Sequence, residues 1–410
     1  MIIVATTVGT RGDIAPLCEL GVELIKRGHT FKILAQEKFR PLIEEKGIVY
    51  CHLSGDANHA MKWLVTDVKT GLEFGTAVFK LKKENPNFME ECEKAVKGAD
   101  LVMYGLYGGF ARHVADYYHI PVVRFFYSPM DKTEQYSLVE KVENDKKCSE
   151  SYDTLEMALN GLSMIAVNKW RKEKKMEKWH LKSNYLMQDN HRVLSLYPVS
   201  PLLMPPDPKW DSFIHVEGYW FHPDIKYELS EDLKAFIQDE KPLFICFGKA
   251  VSKDLIELQK RVYRVIQKLN IKAIIQADEI PHMNTDRIHF IGNIPYEAIF
   301  PYVRGVVHHG GCTTVGLALY CGRPSLAIPL AMDQHFYGKQ IHKLKAGPEC
   351  LYIRKKLCTE KEIEASILDL MSGKYDEGAK MVQEKMHKEN GIEKAIQALE
   401  EYGKKYEYKV

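Results

Sequence analysis

Short apolar runs closed by glycine turns alternate with amphipathic stretches from the first residue onward. That alternation predicts strands and helices in turn, and so a parallel α/β sheet. IIVATTV reads as a buried strand, residues 14–26 as a helix, Gly28 as its stop and FKILA as the next strand. DLVMYG, PVVRFFY and the segment around RVLSLYP supply later strands of the same half. Prolines at positions 198, 201, 205, 206 and 208 then interrupt regular structure and mark the clearest domain boundary. KPLFICFG opens a second sheet, followed by a helix over residues 252–269 and by KAIIQA, RIHFIG, GVVHHGG and SLAIPL. Beyond Cys358 the pattern turns helical and charged, and no short repeat or low-complexity segment interrupts it.

The stretch from His308 to Gln334, HHGGCTTVGLALYCGRPSLAIPLAMDQ, carries the most chemistry. GVV before it is a strand, Gly310 and Gly311 let the backbone turn tightly, and Thr313 and Thr314 suit a helix start. The free N–H groups and positive dipole end of such a helix favour a phosphate, to which His309 can donate a further hydrogen bond. Gly322 falls where that helix should stop, and Asp333 and Gln334 follow the strand SLAIPL at its carboxyl end, where open α/β sheets bind ligands. A carboxylate beside an amide can grip vicinal hydroxyls, so a sugar diphosphate satisfies both halves. A glycine turn between strand and helix is also ordinary α/β punctuation, and His308 and His309 read equally as satisfied core residues. Cys312 lies inside the turn, where a small side chain is reason enough for it.

Composition narrows the class little further. A chain of 410 residues is too long for one typical core. Its 57 basic and 55 acidic side chains nearly cancel, which gives no field directed at nucleic acid. No apolar run reaches the ~18 residues of a membrane span, and residues 1–8 lack the basic leader of a signal peptide, so a cytoplasmic protein is expected. Nine cysteines at wide spacings without a CxxC fit reduced thiols rather than a disulfide scaffold or zinc site. Oligomeric state is left open. The stretch NKWRKEKKMEKWHLKSN, residues 168–184, packs basic residues between Trp170 and Trp179. It reads either as a surface for peripheral contact with an anionic membrane or, more commonly, as a solvated segment whose tryptophans pack inward.

The HHGG stretch closely resembles the donor-binding signature of nucleotide-sugar glycosyltransferases of the GT-B fold, especially the branch of sterol and glycopeptide-antibiotic glycosyltransferases. FIGNIPYEAIFPYVRGVVHHGG is similar to that branch's GN[VI]P turn, short helix and HHGG strand. VGTRGDIAPLCELGVELIKRGH resembles its GSRGD opening and RGH turn, and YPVSPLLMPPDPKW with IHVEGYWF resembles its proline-rich linker and following strand. Four matches in family order span residues from about 1 to about 395. The resemblance implies two Rossmann-like doubly wound domains facing across a cleft. Residues 1–205 would bind the acceptor, 206–390 the donor, and 391–410 would form a helix crossing back to the first domain. It implies a metal-independent, inverting transfer of a hexose, glucose first, from a UDP-sugar to a hydroxyl of an apolar or polycyclic small molecule or lipid. dTDP sugars are the alternative donors. No cofactor is implied beyond the nucleotide sugar, UDP-glucose, and the chain has no DxD triplet of the kind that holds a divalent cation in glycosyltransferases of the other major fold.

Residue by residue, the resemblance places Gly12, Gly248, Lys249, Ile294, His309, Gly311, Cys312, Thr313, Thr314, Asp333 and Gln334 at the donor. Phe110, His113 and Met130 belong to the acceptor side. The family commonly has serine where Lys249 stands, and Asn293 and Leu317 replace a base-stacking tryptophan and a ribose-binding glutamate of plant relatives. Nucleotide recognition is therefore expected from backbone around Ile294. Transfer needs a base for the acceptor hydroxyl. Asp13, at the end of the GTRGD loop after the first strand, matches the position of the family's proposed base. Aspartate is also a favoured helix N-cap, a setting that would lower its pKa. Two other readings stand beside the transferase: a sugar-nucleotide epimerase of the same architecture, and a catalytically silent homologue acting as a partner protein.

Overall fold

The computed structural model describes residues 1–56, 76, 80, 83–137, 145–221, 227–248, 253–276, 283–292, 294–330, 333–351 and 357–407. It divides into two compact units. The first comprises Met1–Pro201, Pro205–Phe221 and Asn390–Val410, and the second Leu202–Met204 and His222–Glu389.

The first unit is built on a parallel sheet of β1 (Ile2–Thr6), β2 (Thr30–Gln36), β3 (Val49–Leu53), β4 (Leu101–Tyr104) and β5 (Val122–Phe125). A short antiparallel pair, β6 (Met187–Gln188) with β7 (His191–Arg192), precedes β8 (Leu194–Tyr197) and β9 (Ile214–Val216). The order across the sheet is β3-β2-β1-β4-β5-β8-β9. Helices cover both faces, and this explains why the strands read as unbroken apolar runs. On one face Ile3 and Ala5 meet Leu17, Leu20 and Leu24 of the first helix, together with Ile396 and Leu399 of the last. On the other, Val4, Val102 and Tyr104 pack on Val114 and Trp170.

The second unit carries β10 (Leu243–Cys246), β11 (Ala273–Gln276), β12 (Ile288–Phe290), β13 (Gly305–His308) and β14 (Ser325–Ala327), all parallel, in the order β12-β11-β10-β13-β14. Leu258, Val262 and Val265 of the helix Lys253–Lys268 and Ile363 and Ile367 of the helix Glu360–Met371 bury one face of it.

Residues 206–221 belong with the first sheet, not with the second domain that the proline cluster suggests. Ile214–Val216 extends the first sheet beside β8, and the proline segment is held there by Tyr136, whose hydroxyl donates to Pro205 O at 3.0 Å, and by Trp210 stacked 6.1 Å from Tyr197. Proline marks the break in regular structure but not the sheet that the chain enters afterwards. The terminal helix Gly391–Glu407 packs on the first unit, where Gly391 approaches Gly218 so closely that a side-chain carbon would lie 2.3 Å from its carbonyl oxygen. His29 Nε2 meets Glu400 at 3.0 Å, and Arg27 pairs with Glu393.

The basic stretch resolves toward its plainer reading. Trp170 and Trp179 are both buried, Trp179 donating through Nε1 to Asn160 Oδ1 at 2.7 Å, while Lys169, Lys172, Lys175 and Lys178 face outward. The aromatic half of a membrane-binding face is thus turned inward. Among the described residues, no helix is long and apolar enough to cross a membrane.

Candidate functional site

At the carboxyl edge of the second sheet the loops after β10, β12, β13 and β14 carry the donor-side positions. The chain leaves β13 through His308, which is fully buried and whose Nδ1 accepts from Gly310 N–H at 2.9 Å. That bond closes the turn and turns His309 out to a partly exposed position. Desolvation by the surrounding protein keeps both imidazoles neutral, with pKa values pushed down to about 3 for His308 and about 4 for His309. The helix Cys312–Tyr320 starts at Gly311, its N-cap, which has no side chain with which to bond the first N–H groups.

The His309 ring lies over this helix start. Its Nε2 is 2.6 Å from where a side chain on Gly311 would begin, and its Cε1 is 3.9 Å from the corresponding point on Gly248. Glycine at 311 therefore leaves the space into which the imidazole fits. Gly248, with φ +70°, and Gly310, with φ +89°, hold left-handed conformations that favour glycine. A side-chain carbon on Gly310 would stand 2.6 Å from Gln334 O, so the turn after β13 packs directly on the start of the helix Gln334–Lys343, whose N-cap is Asp333. Gln334 Oε1 accepts from Leu330 N–H at 2.8 Å, which folds the loop after β14 back onto itself.

These contacts bring Gly248, His309, Gly311, Asp333 and Gln334 together. Thr313 is partly exposed, whereas Cys312 and Thr314 are buried. Ile294 sits partly exposed in the loop after β12, which Gln276 pins by donating to Gly292 O at 3.0 Å and accepting from Tyr296 at 2.6 Å. Lys249 and Asn293 lie outside the described residues. Replacing Gly310 by alanine is expected to cost about 1–3 kcal/mol, from the left-handed backbone and the contact with Gln334 O. Thermal unfolding that showed an unchanged Tm would refute this account of the turn.

Asp13 lies in the first unit, in a setting the sequence did not specify. The first helix is Arg11–Lys26, so it begins three residues earlier than the apolar periodicity suggests. Thr10, not Asp13, is its N-cap. Asp13 is the third helical residue, and its Oδ2 accepts from Thr10 N–H at 2.6 Å and Thr10 Oγ1 at 3.0 Å, forming a capping box. Burial nevertheless outweighs these bonds and raises the carboxyl above its ordinary value of 3.8. The expectation of a lowered pKa is thus reversed, because capping was weighed without desolvation. Tyr127 fixes the same turn by donating to Asp13 O at 2.9 Å. Gly12 also belongs to this unit, and its N–H is taken by Thr10 Oγ1 at 3.2 Å rather than presented to a phosphate.

The first unit also encloses a cavity of about 290 Å³ at the carboxyl end of its strands. Phe110 and Met130 line it, with Phe88, Phe126, Leu159 and Leu162. His113 does not. It is fully buried elsewhere, with Nδ1 3.0 Å from Arg171 Nη1 and its ring edge-on to Trp179, and burial holds its pKa well below 6.5. Residues 168–184 contribute nothing to the wall, although Val167 and Tyr185 on either side do. Sequence reasoning missed Arg124, Asp131 and Gln36 in the wall. A charged residue inside the apolar run PVVRFFY was the available signal for the first of these.

Residues 3–129 match the glycosyltransferase family 28 N-terminal domain, and residues 260–401 match the erythromycin biosynthesis protein CIII-like C-terminal domain. The glycosyltransferase of kitacinnamycin has the same fold over 98% of both chains, with a TM-score of 0.71 at 15% identity. The chain has the GT-B fold. Spinosyn rhamnosyltransferase complexed with thymidine diphosphate is a second GT-B structure of this shape, with a TM-score of 0.67 at 14% identity over 97% of this chain and 99% of that one. Among curated proteins, the sterol 3-beta-glucosyltransferase of Candida albicans is 29% identical over 96% of this chain, and that of Saccharomyces cerevisiae is 28% identical over 96%. This GT-B chain spans 27% of the length of the first and 34% of the second.

Proposed function

We propose that this chain transfers a hexose, glucose from UDP-glucose, to a hydroxyl of an apolar or polycyclic acceptor of the sterol class, with inversion. The observation that carries the reading is the packing of His309, the glycine turn and the helix start at Gly311 against Asp333 and Gln334 at one sheet edge. The helix N-terminus and a neutral imidazole N–H suit a diphosphate. The carboxylate and amide beside them suit sugar hydroxyls. The largely apolar cavity of the first unit and the name of the curated relatives, sterol 3-beta-glucosyltransferase, support the acceptor class.

In the reaction the acceptor oxygen attacks the anomeric carbon as the bond from that carbon to the β-phosphate oxygen breaks. The electron pair of the broken bond leaves with the diphosphate, where the helix at Gly311 and His309 stabilise the added charge. The acceptor's proton passes to Asp13. A carboxyl with a raised pKa is better matched to this task than an ordinary aspartate, because the proton is held more firmly as the oxygen becomes acidic.

Incubation with labelled UDP-glucose and a panel of sterols, phenols and macrolides tests the proposal. Label is expected on a hydroxylated sterol, and in excess EDTA as well as without it. Loss of transfer in EDTA that magnesium or manganese restores would overturn the metal-independent route. Conversion of the sugar on its own nucleotide, with no acceptor needed, would favour the epimerase.

A further inference from the structure

The cavity of the first unit contains a charged group whose hydrogen bonds are incomplete. Arg124, in β5, is 5% exposed. Its Nε and Nη2 donate to Ser195 Oγ at 3.1 and 2.6 Å, and Nη2 also pairs with Asp131. Among the described residues, Nη1 meets no acceptor, and Arg124 lines the cavity. A guanidinium is a rigid planar fork, so anchoring two of its nitrogens fixes the direction of the third. In the same wall Gln36, 4% exposed, holds a side-chain oxygen with no hydrogen-bond partner among the described residues. Buried polar groups are nearly always paired, so the unpaired guanidinium N–H of Arg124 in this cavity wall marks a place for a polar atom of a ligand, whereas the Gln36 oxygen is itself sealed from the cavity.

Resting on the reading of this cavity as the acceptor site, we propose that Arg124 is a specificity-determining residue whose Nη1 donates to a second, neutral oxygen of the acceptor. That oxygen is a ketone or hydroxyl on an otherwise apolar polycyclic body, distinct from the hydroxyl that receives the sugar. It is distinct because Asp13, which would take the proton of the reacting hydroxyl, is not part of the cavity wall. It is neutral because the charge of Arg124 is already opposed by Asp131, itself held by Tyr197 at 2.6 Å, and because Asp131, Asp153 and Glu156 all line the cavity. A carboxylate would meet these like charges. A neutral oxygen gains a charge-assisted bond without adding a buried charge. Plain hydrocarbon there would exclude water and leave Nη1 unpaired.

Calorimetric binding without any nucleotide sugar tests the proposal, using androstan-3-ol and epiandrosterone, which has the same skeleton and alcohol with a ketone at the far end. The unaltered protein is expected to bind the ketone about ten- to a hundredfold more tightly, the range for a hydrogen bond to a charged group. Arg124→Lys keeps a positive charge opposite Asp131 but lacks the fork, so it should bind androstan-3-ol normally and lose the preference. The double variant Arg124→Met with Asp131→Asn removes both charges and should likewise bind the two probes alike. Equal affinities in the unaltered protein, no binding of either probe, or a preference retained in Arg124→Lys would each overturn the assignment. Failure of the transferase reading is distinguishable, since absence of turnover with UDP-glucose leaves a measured ketone preference standing.

Discussion

Asp13→Asn is expected to lower sugar transfer by about 10²- to 10⁴-fold, the usual loss when a general base is removed. Nucleotide affinity should stay near normal, because Asp13 belongs to the first unit and the donor-side residues to the second. Asparagine retains a side-chain oxygen for the Thr10 N–H, so the capping box has a substitute. Stability should not fall either. An acid whose folded pKa is raised binds its proton more readily when folded, so its ionised form costs stability at pH values above that pKa, and asparagine carries no such charge. In the unaltered protein the rate of the proposed transfer should decline as the pH falls through a pKa above 3.8, where Asp13 takes up a proton and ceases to be a base. The decisive comparison is turnover and UDP affinity measured on the same variant preparation. Near-normal turnover would reduce Asp13 to a capping residue, and the base would then lie elsewhere in the first unit, though not at the sealed His113.

His309→Ala should weaken binding of UDP by about 1–3 kcal/mol, about 5- to 150-fold in Kd. Without nucleotide the imidazole is neutral well below neutral pH, so it meets the diphosphate as a directed N–H. Glutamine at this position keeps a donor of similar reach and should recover part of the loss. His308→Ala would test something different, because that ring holds Gly310 N–H inside the fold, and its removal should lower Tm first. Calorimetry on a folded His309→Ala protein that gave wild-type affinity for UDP would remove His309 from the donor site.

The two histidines show how far a sequence can be read. The adjacent pair HHGG fixes a strand end, a tight turn and a helix start, since β-branched residues, paired glycines and threonines each restrict the local backbone. Strand alternation then puts neighbouring side chains on opposite faces. Which ring is sealed and which reaches the helix start depended on the elements packed against each face, and these come from distant sequence: Gly248 after β10 and Gln334 after β14.

The same division runs through the rest of the chain. By itself the sequence determined the alternation of strands and helices, the two parallel sheets and the carboxyl-edge positions of His309, Gly311, Asp333 and Gln334, because hydrophobic period and glycine placement act over a few residues, while the family resemblance pointed to Gly248 and Ile294. Tertiary structure alone decided that β9 joins the first sheet, that desolvation overrides a capping box to raise the pKa of Asp13, and that His113 is sealed behind Arg171 and Trp179. It alone also set Arg124 and Asp131 as a charged pair in an apolar cavity wall. The physical reason is common to all four: pairing partners, burial and the completeness of a hydrogen-bond set are properties of neighbours brought together from far along the chain, and no local pattern encodes them.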